Sequence, residues 1–292
     1  MAIEYEKLKA WVFPDVEQTY TTRDTILYAL GLGFGADPMN QDQLRFVYEH
    51  DMQVVPTMPV VLARPAGMWP KNPETGINWK KMVAGEQDLL IHHPLPAEGT
   101  VISQMSITEI LDKGADKGAV LYYTRKLMDK HTGMHYSSVN GSLFLRGDGG
   151  FGGPVGPSPK PNLTPERAPD LECSIQTMPQ QALIYRLSGD YNPLHADPEF
   201  AAAAGYARPI LHGLCSFGIA GHALLRALCG YRVGCIKRIA ARFSSPVFPG
   251  ETICTQIWRD GDNRAAFRSV VPERKAVVVS NGLVEITNNQ PR

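Results

Sequence analysis

The stretch Tyr185-Arg-Leu-Ser-Gly-Asp-Tyr-Asn-Pro-Leu-His-Ala-Asp-Pro198, called the site loop below, decides how the rest of the chain is interpreted. Glycine and proline interrupt it, so its backbone is a turn-rich loop that holds polar side chains at fixed angles. Asp190, Asn192 and His195 lie within six residues of this loop. A carboxylate and an imidazole this close can share one water or one substrate atom, which proton transfer near neutral pH requires.

A short helix, a long apolar helix and a series of strands are predicted after the site loop. Asp197 fits an N-cap, Pro198 the first helical position, and Gly205 the end of the short helix. The apolar run over residues 212–228 is too long for a strand and predicts a helix buried on most sides. Strand patterns separated by turn residues follow at Ala240–Phe243, Thr252–Trp258, Ala265–Val271 and Ala276–Ile286. The predicted class is α+β, with an antiparallel sheet wrapped around a helix.

An internal duplication is visible in three matches that keep their order along the chain. Ile26–Leu30 is similar to Leu183–Leu187, Pro94–Thr100 to Pro246–Thr252, and Asn140–Leu143 to Asn281–Val284. The offsets are 157, 152 and 141 residues, and a few loop insertions explain the drift. A repeated pattern indicates a repeated structural unit. We therefore expect two helix-and-sheet units side by side.

The segment between the two copies is rich in glycine and proline. Residues 147–169 contain six glycines and six prolines in 23 positions. Such a composition forms neither a helix nor a central strand, so it predicts a linker that passes over the surface. The expected domains are an N-terminal repeat over 1–146, the linker over 147–169 and a C-terminal repeat over 170–292.

Charge and cysteine content narrow the class of protein. Lys plus Arg and Asp plus Glu both number 29 in 292 residues, so no net field favours nucleic acid or an anionic membrane. The N-terminus lacks a signal pattern and no run is long enough to span a membrane, so an intracellular soluble protein is expected. The cysteines are odd in number and lack paired CxxC spacing, which predicts reduced, mostly buried thiols. They are Cys173, Cys215, Cys229, Cys235 and Cys254.

The site loop, together with Pro209-Ile-Leu-His-Gly-Leu-Cys-Ser-Phe217, resembles the signature of the (R)-specific 2-enoyl-CoA hydratases, also called hydratase 2 or MaoC-like hydratases. Further stretches resemble the hydratase portion of peroxisomal multifunctional enzyme type 2: Gly85–Gln87, Leu111–Gly114, Leu143–Gly153 and Ala241–Phe243. The resemblance covers nearly the whole chain. It implies a double hot-dog fold, which agrees with the duplicated unit, and a homodimer.

The resemblance implies an enzyme, a hydro-lyase that adds water reversibly to trans-2-enoyl-CoA and gives (3R)-3-hydroxyacyl-CoA without a cofactor. This chemistry needs a base for the water, an acid for the α-carbon and stabilisation of the thioester oxygen. Asp190 and His195 would supply the first two, Asn192 would orient the water, and syn addition would follow. Gly213, at the expected start of the long helix, would offer its backbone N–H to the thioester oxygen. Which proton Asp190 or His195 holds is left open.

Substrate contacts are also carried over from the resemblance. Ala84, Gly85, Lys113 and Phe243 would line the path of CoA and the acyl chain. The backbone around Tyr191, Pro193 and Leu194 would touch the thioester end. Lys113 suits a phosphate because an ammonium group is a compact point charge. The family has His-Gly where this chain has Ala84-Gly85, so the side-chain role at that position is in doubt.

The N-terminal copy lacks the catalytic set. Alignment of Tyr28 with Tyr185 places Gly33 opposite Asp190, and no Asn or His follows at the matching positions. The counterpart of the long helix, Pro59–Gly67, is interrupted by proline and must be short or broken. The space left inside the sheet is predicted to hold the acyl tail, and the alternative is a half that only completes the sheet.

Several alternatives remain at this stage. No metal site is expected, because neither His92-His93 nor His195 with Asp197 comes with a third ligand at a recognisable spacing. His222 is interpreted as a core residue and His212 as a helix-start residue without a chemical role. A hot-dog thioesterase and a non-catalytic acyl-CoA-binding module are the rival functions. Asn288–Arg292 do not form a Ser-Lys-Leu-like address, so we expect a cytoplasmic protein if the source is bacterial. In a eukaryote, a peroxisomal location would need another signal.

Overall fold

The structure, a computed structural model, describes residues 2–65 and 69–287. The N-terminal repeat contains the strands β1 (Val16–Tyr20), β2 (Met82–Ile91), β3 (Gly99–Asp112), β4 (Ala119–Asp129) and β5 (His135–Leu145). The C-terminal repeat contains the strands β6 (Leu171–Gln176), β7 (Ile236–Phe243), β8 (Thr252–Arg259), β9 (Arg264–Val271) and β10 (Ala276–Ile286).

The helices lie mostly between the first and second strand of each repeat. The α-helices are α1 (Tyr5–Lys9), α2 (Thr22–Leu30), α3 (Gln41–Leu44), α4 (Gln181–Tyr185), α5 (Pro198–Ala203) and α6 (Gly213–Cys229). Short 3-10 turns cover Met58–Val60, Trp69–Lys71, Pro73–Thr75, Trp79–Lys81, Arg186–Ser188, Pro193–His195, Val233–Cys235 and Pro272–Arg274.

The described strands form one antiparallel sheet in the order β1-β3-β4-β5-β2-β7-β10-β9-β8-β6. The order of the second half is the mirror of the first, so each strand of one repeat has a counterpart in the other. The two halves join where β2 pairs with β7, from Glu86 opposite Arg242 to Leu90 opposite Arg238. Arg238 also donates two hydrogen bonds to the Asp88 carboxylate, at 2.8 and 3.0 Å. The predicted pair of units is therefore a single continuous sheet.

Helix α6 is the centre of the C-terminal repeat, and it confirms the long buried helix predicted over residues 212–228. Most of its residues are buried, and it packs on β6, β7, β8 and β10. Gly218 and Gly221 let the N-terminal repeat approach closely: a Cβ at Gly218 would lie 2.5 Å from Leu32, and one at Gly221 would lie 2.6 Å from Thr57. The predicted strands β7 to β10 and the Asp197 N-cap of α5 are also confirmed.

A helix equivalent to α6 was predicted to be short or broken in the N-terminal repeat. The described part of that segment contains the 3-10 turn Met58–Val60 and no α-helix. The last two residues of the predicted segment Pro59–Gly67 lie outside the described residues. The guanidinium of Arg125 is buried and donates hydrogen bonds to the carbonyl oxygens of Pro59, Val60 and Leu62. This arginine satisfies carbonyl groups that a longer helix would have paired internally.

The glycine- and proline-rich segment contains neither helix nor strand, and its first part is held on the N-terminal repeat. Asp112, at the end of β3, accepts hydrogen bonds from the backbone N–H groups of Gly150 and Gly152 at 2.8 and 2.9 Å. The Asp112 N–H donates to the carbonyl of Pro154 at 2.9 Å. These bonds tether one end of the predicted linker to the sheet.

One expectation about the cysteines is wrong. Cys229 and Cys235 form a disulfide, with Cα atoms 5.9 Å apart, so not every cysteine is a reduced thiol. The pairing is possible because α6 ends at Cys229 and Gly230 turns the chain with a φ of +52°. Cys173, Cys215 and Cys254 are free and buried, as predicted. Within residues 2–65 and 69–287, no helix combines the length and apolar character needed to cross a membrane.

Candidate active site

The site loop folds into two 3-10 turns joined at a glycine. Gly189, with a φ of +109°, ends the first turn and starts the segment that carries Asp190. Asn192 begins the second turn, and its side-chain Oδ1 accepts the N–H of Leu194 at 3.2 Å. The turn ends at His195, which is 8 % exposed. The amide oxygen of Asn192 thus holds the backbone of the turn at Leu194. The amide nitrogen, Nδ2, remains available as a hydrogen-bond donor.

The ring of His195 is fixed in one tautomer by a backbone carbonyl. Its Nδ1 lies 2.9 Å from the carbonyl oxygen of Ile210, which can only accept, so Nδ1 carries the proton. Burial lowers the pKa of His195 below its usual range, although the Ile210 carbonyl and Asp190 oppose that effect. At neutral pH the imidazole is neutral, and Nε2 offers a lone pair.

His212 is the N-cap residue of α6, and its ring packs directly on His195. The two ring centroids are 3.7 Å apart and stacked. Its Nε2–H donates to the backbone carbonyl of Asp190 at 3.1 Å, and burial lowers its pKa to about 4. His212 is the helix-start residue that was expected, and its side chain also contacts both Asp190 and His195. That it has no chemical role stays a prediction.

Asp190 receives contacts from both repeats. Arg64 of the N-terminal repeat places its NH1 atom 3.4 Å from Asp190 Oδ2, and the backbone N–H of Asn192 donates to Oδ1 at 3.3 Å. Burial alone would raise the pKa of this carboxyl. The positive charge of Arg64, followed by His212, His195 and the Asn192 N–H, outweighs burial and holds that pKa below its usual range. At neutral pH Asp190 is a carboxylate.

The carboxylate and the two imidazoles converge on one small volume. One atom each from Asp190, His195 and His212 lies within 4.8 Å of the others. A water that makes hydrogen bonds of about 2.8 Å can bridge two acceptors at such a separation. The same spacing could accommodate a metal ion, but Arg64 already places a positive charge beside Asp190 and would oppose a cation there. The expectation of no metal stays a prediction.

Gly213 is the first residue of α6, next to His212. The first N–H groups of a helix lack intrahelical partners, and the side chain of His212 makes no capping hydrogen bond to them. Glycine also permits a close contact here: a Cβ at Gly213 would meet the ring of Phe243 at 3.3 to 3.4 Å. The terminus begins one residue after His212, whose ring stacks on that of His195.

Three of the predicted substrate contacts lie along the seam between the repeats. The paired part of the seam ends at Glu86 opposite Arg242, so Gly85 and Phe243 are the next residues of the two strands beyond it. Ala84 precedes Gly85 at a bulge in β2 and is exposed. These positions form a surface that leads from Gly213 towards β4 and β5.

Lys113 lies further out, at the end of β3. Its Nζ donates to the carbonyl of Gly156 at 2.9 Å. It borders a surface concavity of about 560 Å³ lined by three basic, one acidic and two apolar residues: Lys113, Lys117, Arg146, Asp116, Val120 and Phe144. The other predicted contacts, Tyr191, Pro193 and Leu194, flank Asn192 in the site loop. Tyr191 is 59 % exposed, and Arg186 lies over its ring.

Arg64, His212 and the Ile210 carbonyl complete the site, although they were not predicted as parts of it. Arg64 and Asp190 are separated by 126 positions, so local spacing carries no sign of their contact. The one available signal was an arginine directly after the apolar run Val60–Ala63. His222 is the buried core residue that was expected: Nδ1 donates to the carbonyl of Leu32, and the Tyr231 hydroxyl bonds Nε2.

Two family models match the two repeats separately. The MaoC like domain matches residues 160–281, and the MFE-2 hydratase 2 N-terminal domain matches residues 18–147. The protein called enoyl-CoA hydratase ChsH3 of Mycobacterium tuberculosis is 39 % identical over 286 residues, which cover 97 % of this chain and 98 % of that one. The fold, the site and these comparisons together define a hydratase that is built from two repeats in one chain.

Solved structures agree with this assignment. A MaoC-like dehydratase from Phytophthora capsici superposes with a TM-score of 0.86 at 36 % identity, covering 98 % of this chain and 99 % of the other. A Mycobacterium tuberculosis protein described as having a double hotdog fold matches with a TM-score of 0.57 at 12 % identity, over 97 % and 98 % of the two chains. The predicted double hot-dog fold is confirmed. The chain belongs to the MaoC-like hydratase 2 family, and it is a hydro-lyase.

Proposed function

We propose that the protein catalyses reversible syn hydration of trans-2-enoyl-CoA to (3R)-3-hydroxyacyl-CoA. The observation that carries the proposal is the convergence of the Asp190 carboxylate and the neutral His195 ring beside the N-terminus of α6. A carboxylate oxygen of Asp190 and a ring nitrogen of His195 lie within 4.8 Å of each other, and the N-terminus of α6 begins one residue after His212. Addition of water to a conjugated thioester requires this combination.

A water between Asp190 and His195 would donate one hydrogen bond to the carboxylate and one to Nε2. Both groups are in their accepting forms at neutral pH because their pKa values are lowered. As the water oxygen attacks the β-carbon, the pair takes up a proton and returns one to the α-carbon. Since hydroxyl and proton come from the same side, the addition is syn. The proton is assigned to the pair, because strongly interacting groups titrate together.

The remaining roles follow from the same geometry. The N–H of Gly213, strengthened by the dipole of α6, would bind the thioester oxygen as negative charge develops on it. Asn192 would orient the water through Nδ2, because its Oδ1 is used by Leu194 N–H. The path beside Phe243, Gly85 and Ala84 would carry the thioester arm. The basic concavity at Lys113 would then bind the phosphates of CoA.

The N-terminal repeat would receive the acyl tail where its helix is reduced to one turn. An apolar space of about 10 Å³ lies beside this turn, bordered by Val54, Val55, Pro56, Pro59, Ile91, His93, Pro94, Leu95 and Val233. Such a space holds no more than about one water, so a long tail requires these side chains to move apart. Rates over a chain-length series test the idea, and a strict preference for short chains would contradict it.

The decisive experiment compares Asp190→Asn with Asp197→Asn in the same loop. Asn serves as an N-cap about as well as Asp, so Asp197→Asn should keep both the fold and the activity. We expect Asp190→Asn to keep the fold but lose hydration, measured as loss of the enoyl thioester absorbance with chiral analysis of the product. Normal turnover by Asp190→Asn would refute the mechanism. Release of free CoA thiol without 3-hydroxyacyl product would indicate a thioesterase, and binding with unchanged absorbance a binding module.

The family resemblance also leads us to propose a homodimer. Sedimentation velocity of the purified protein tests this, and a monomer at micromolar concentration would contradict it.

A further inference from the structure

Arg64 brings a positive charge from the repeat without a catalytic set to the carboxylate that the reaction needs. Its NH1 atom is 3.4 Å from Asp190 Oδ2, and its side chain is 41 % exposed. The contact crosses between the repeats, and Arg64 follows directly on the shortened helical segment. The loss of a helix in one repeat therefore delivers a side chain to the site of the other.

The segment before Arg64 is held firmly in place. Ala63 has a φ of +46°, a left-handed conformation that a residue with a Cβ adopts only when its surroundings impose it. Its N–H donates to the side chain of Gln18 on β1, and its carbonyl accepts from the hydroxyl of Ser103 on β3. Arg125 on β4 holds the carbonyls of the preceding turn. Three strands thus fix the point from which Arg64 extends.

We propose that Arg64 is a positioning residue for hydration: it holds the Asp190 carboxylate ionised and oriented, so that the face turned to the water keeps its lone pairs. This inference rests on the proposed function. Oδ1 is held by the N–H of Asn192 and Oδ2 by Arg64. With both oxygens held, the carboxylate cannot rotate freely in its loop.

The charged and titratable groups around this contact come from several elements. Asp190 faces Arg64, His212 and His195, and its charge also reaches Tyr185. Arg64 in turn acts on groups of β4, namely Tyr123 and Arg125. His212 and His195 are neutral near pH 7 because burial lowers their pKa values. Arg64 is therefore the permanent positive charge at Asp190.

The effect of Arg64 should be moderate, because solvent reaches its guanidinium. Solvent weakens the attraction within a half-exposed pair, so the effect of Arg64 on the pKa of Asp190 is limited. Without Arg64 the largest of the contributions that oppose burial is lost, so the pKa of Asp190 would rise. The acid limb of the rate profile, which reports ionisation of the Asp190–His195 pair, would then move to higher pH.

The test compares Arg64→Gln, Arg64→Lys and the control Arg23→Gln, which removes an exposed arginine on α2 of the same repeat. We expect Arg64→Gln to lower kcat up to several-fold near pH 4 to 4.5, with a deficit that shrinks as pH rises, and to leave KM within about twofold. Arg64→Lys should restore most of the wild-type profile, and Arg23→Gln should match it throughout. A deficit that is equal at all pH values, or an effect on KM alone, would overturn the proposal.

A second measurement does not depend on the reaction. The carboxyl of Asp190 can be titrated without substrate by carbon-13 NMR of labelled aspartate, with Asp190→Asn for assignment. We expect its midpoint to rise by about half to one pH unit in Arg64→Gln and to rise less in Arg64→Lys. An unchanged midpoint overturns the role of Arg64 even if the enzyme is a hydratase. A shifted midpoint in a protein without hydratase activity would instead reject the proposed function.

Discussion

Replacement of Gly213 by Ala tests whether the first turn of α6 binds the thioester oxygen. A Cβ at this position would lie 3.3 and 3.4 Å from two ring atoms of Phe243. The ring needs to move only a few tenths of an ångström, and Ala is favoured over Gly in a helix by up to about 1 kcal/mol. The free energy of unfolding should therefore change by less than about 1 kcal/mol.

The effect on catalysis should be far larger than the effect on stability. The added methyl group would press on the Phe243 ring beside the helix terminus at which the thioester oxygen is proposed to bind, and it should hinder the approach of that oxygen to the Gly213 N–H. Loss of one such donor lowers kcat by about 10² to 10³, or roughly 3 to 4 kcal/mol of transition-state stabilisation. Single-turnover hydration and urea unfolding of the same preparation would measure the two quantities side by side.

The double variant Gly213→Ala with Phe243→Leu serves as the control. If Gly213→Ala acts only by pushing the ring, the smaller Leu should relieve the strain and restore kcat. We expect no recovery, because the methyl group still blocks the N–H. A kcat of Gly213→Ala within about threefold of wild type would refute the assignment of this donor.

Further predictions concern stability and pH. Arg125→Met should lower the free energy of unfolding by about 3 kcal/mol or more, since three buried carbonyls lose their donor; a loss below 1 kcal/mol in urea unfolding would contradict this. His212 and His222 have pKa values of about 4 in the folded protein. As the pH falls, these two histidines become protonated in the unfolded chain at a higher pH than in the folded protein. The free energy of unfolding should therefore fall by about 3 kcal/mol from pH 6.5 to pH 5. His222→Phe should remove about half of that fall, and an unchanged pH slope would contradict the assignment. Asn192→Ala should lower kcat and loosen the site loop, seen as faster amide exchange at Leu194.

Most of the C-terminal repeat was predictable because its long helix and its strands β7 to β10 each carry a local signal. The turn at Pro249-Gly250 and the alternating patterns around it marked β8 to β10. The length and small residues of 212–228 distinguished α6 from a strand. β6 was not predicted, because it is a short edge strand directly after a proline-rich segment. The pairing of β2 with β7 has no local signal either, since strand partners distant in sequence are chosen by the whole sheet.

The same distinction applies to the site: contacts between residues close in sequence could be predicted, and contacts between distant residues could not. Asp190, Asn192 and His195 share one loop, so their proximity could be read from spacing. The stacking of His212 on His195 depends on how the site loop folds back against the start of α6. The contact of Arg64 with Asp190 depends on the seam between the repeats. Long-range contacts of this kind are set by tertiary packing, and residue spacing alone does not contain them.

Because the two repeats are not symmetric, the N-terminal repeat can contact the site loop of the C-terminal repeat. In a symmetric pair each repeat would need its own central helix, and no segment of one would reach the loop of the other. Here the glycines of α6 admit Leu32 and Thr57 of the N-terminal repeat, and Arg125 replaces the backbone bonds of the missing helix. The chain then continues to Arg64, whose charge lies against Asp190. The repeat that lost the catalytic set thus supports the electrostatics of the one that kept it.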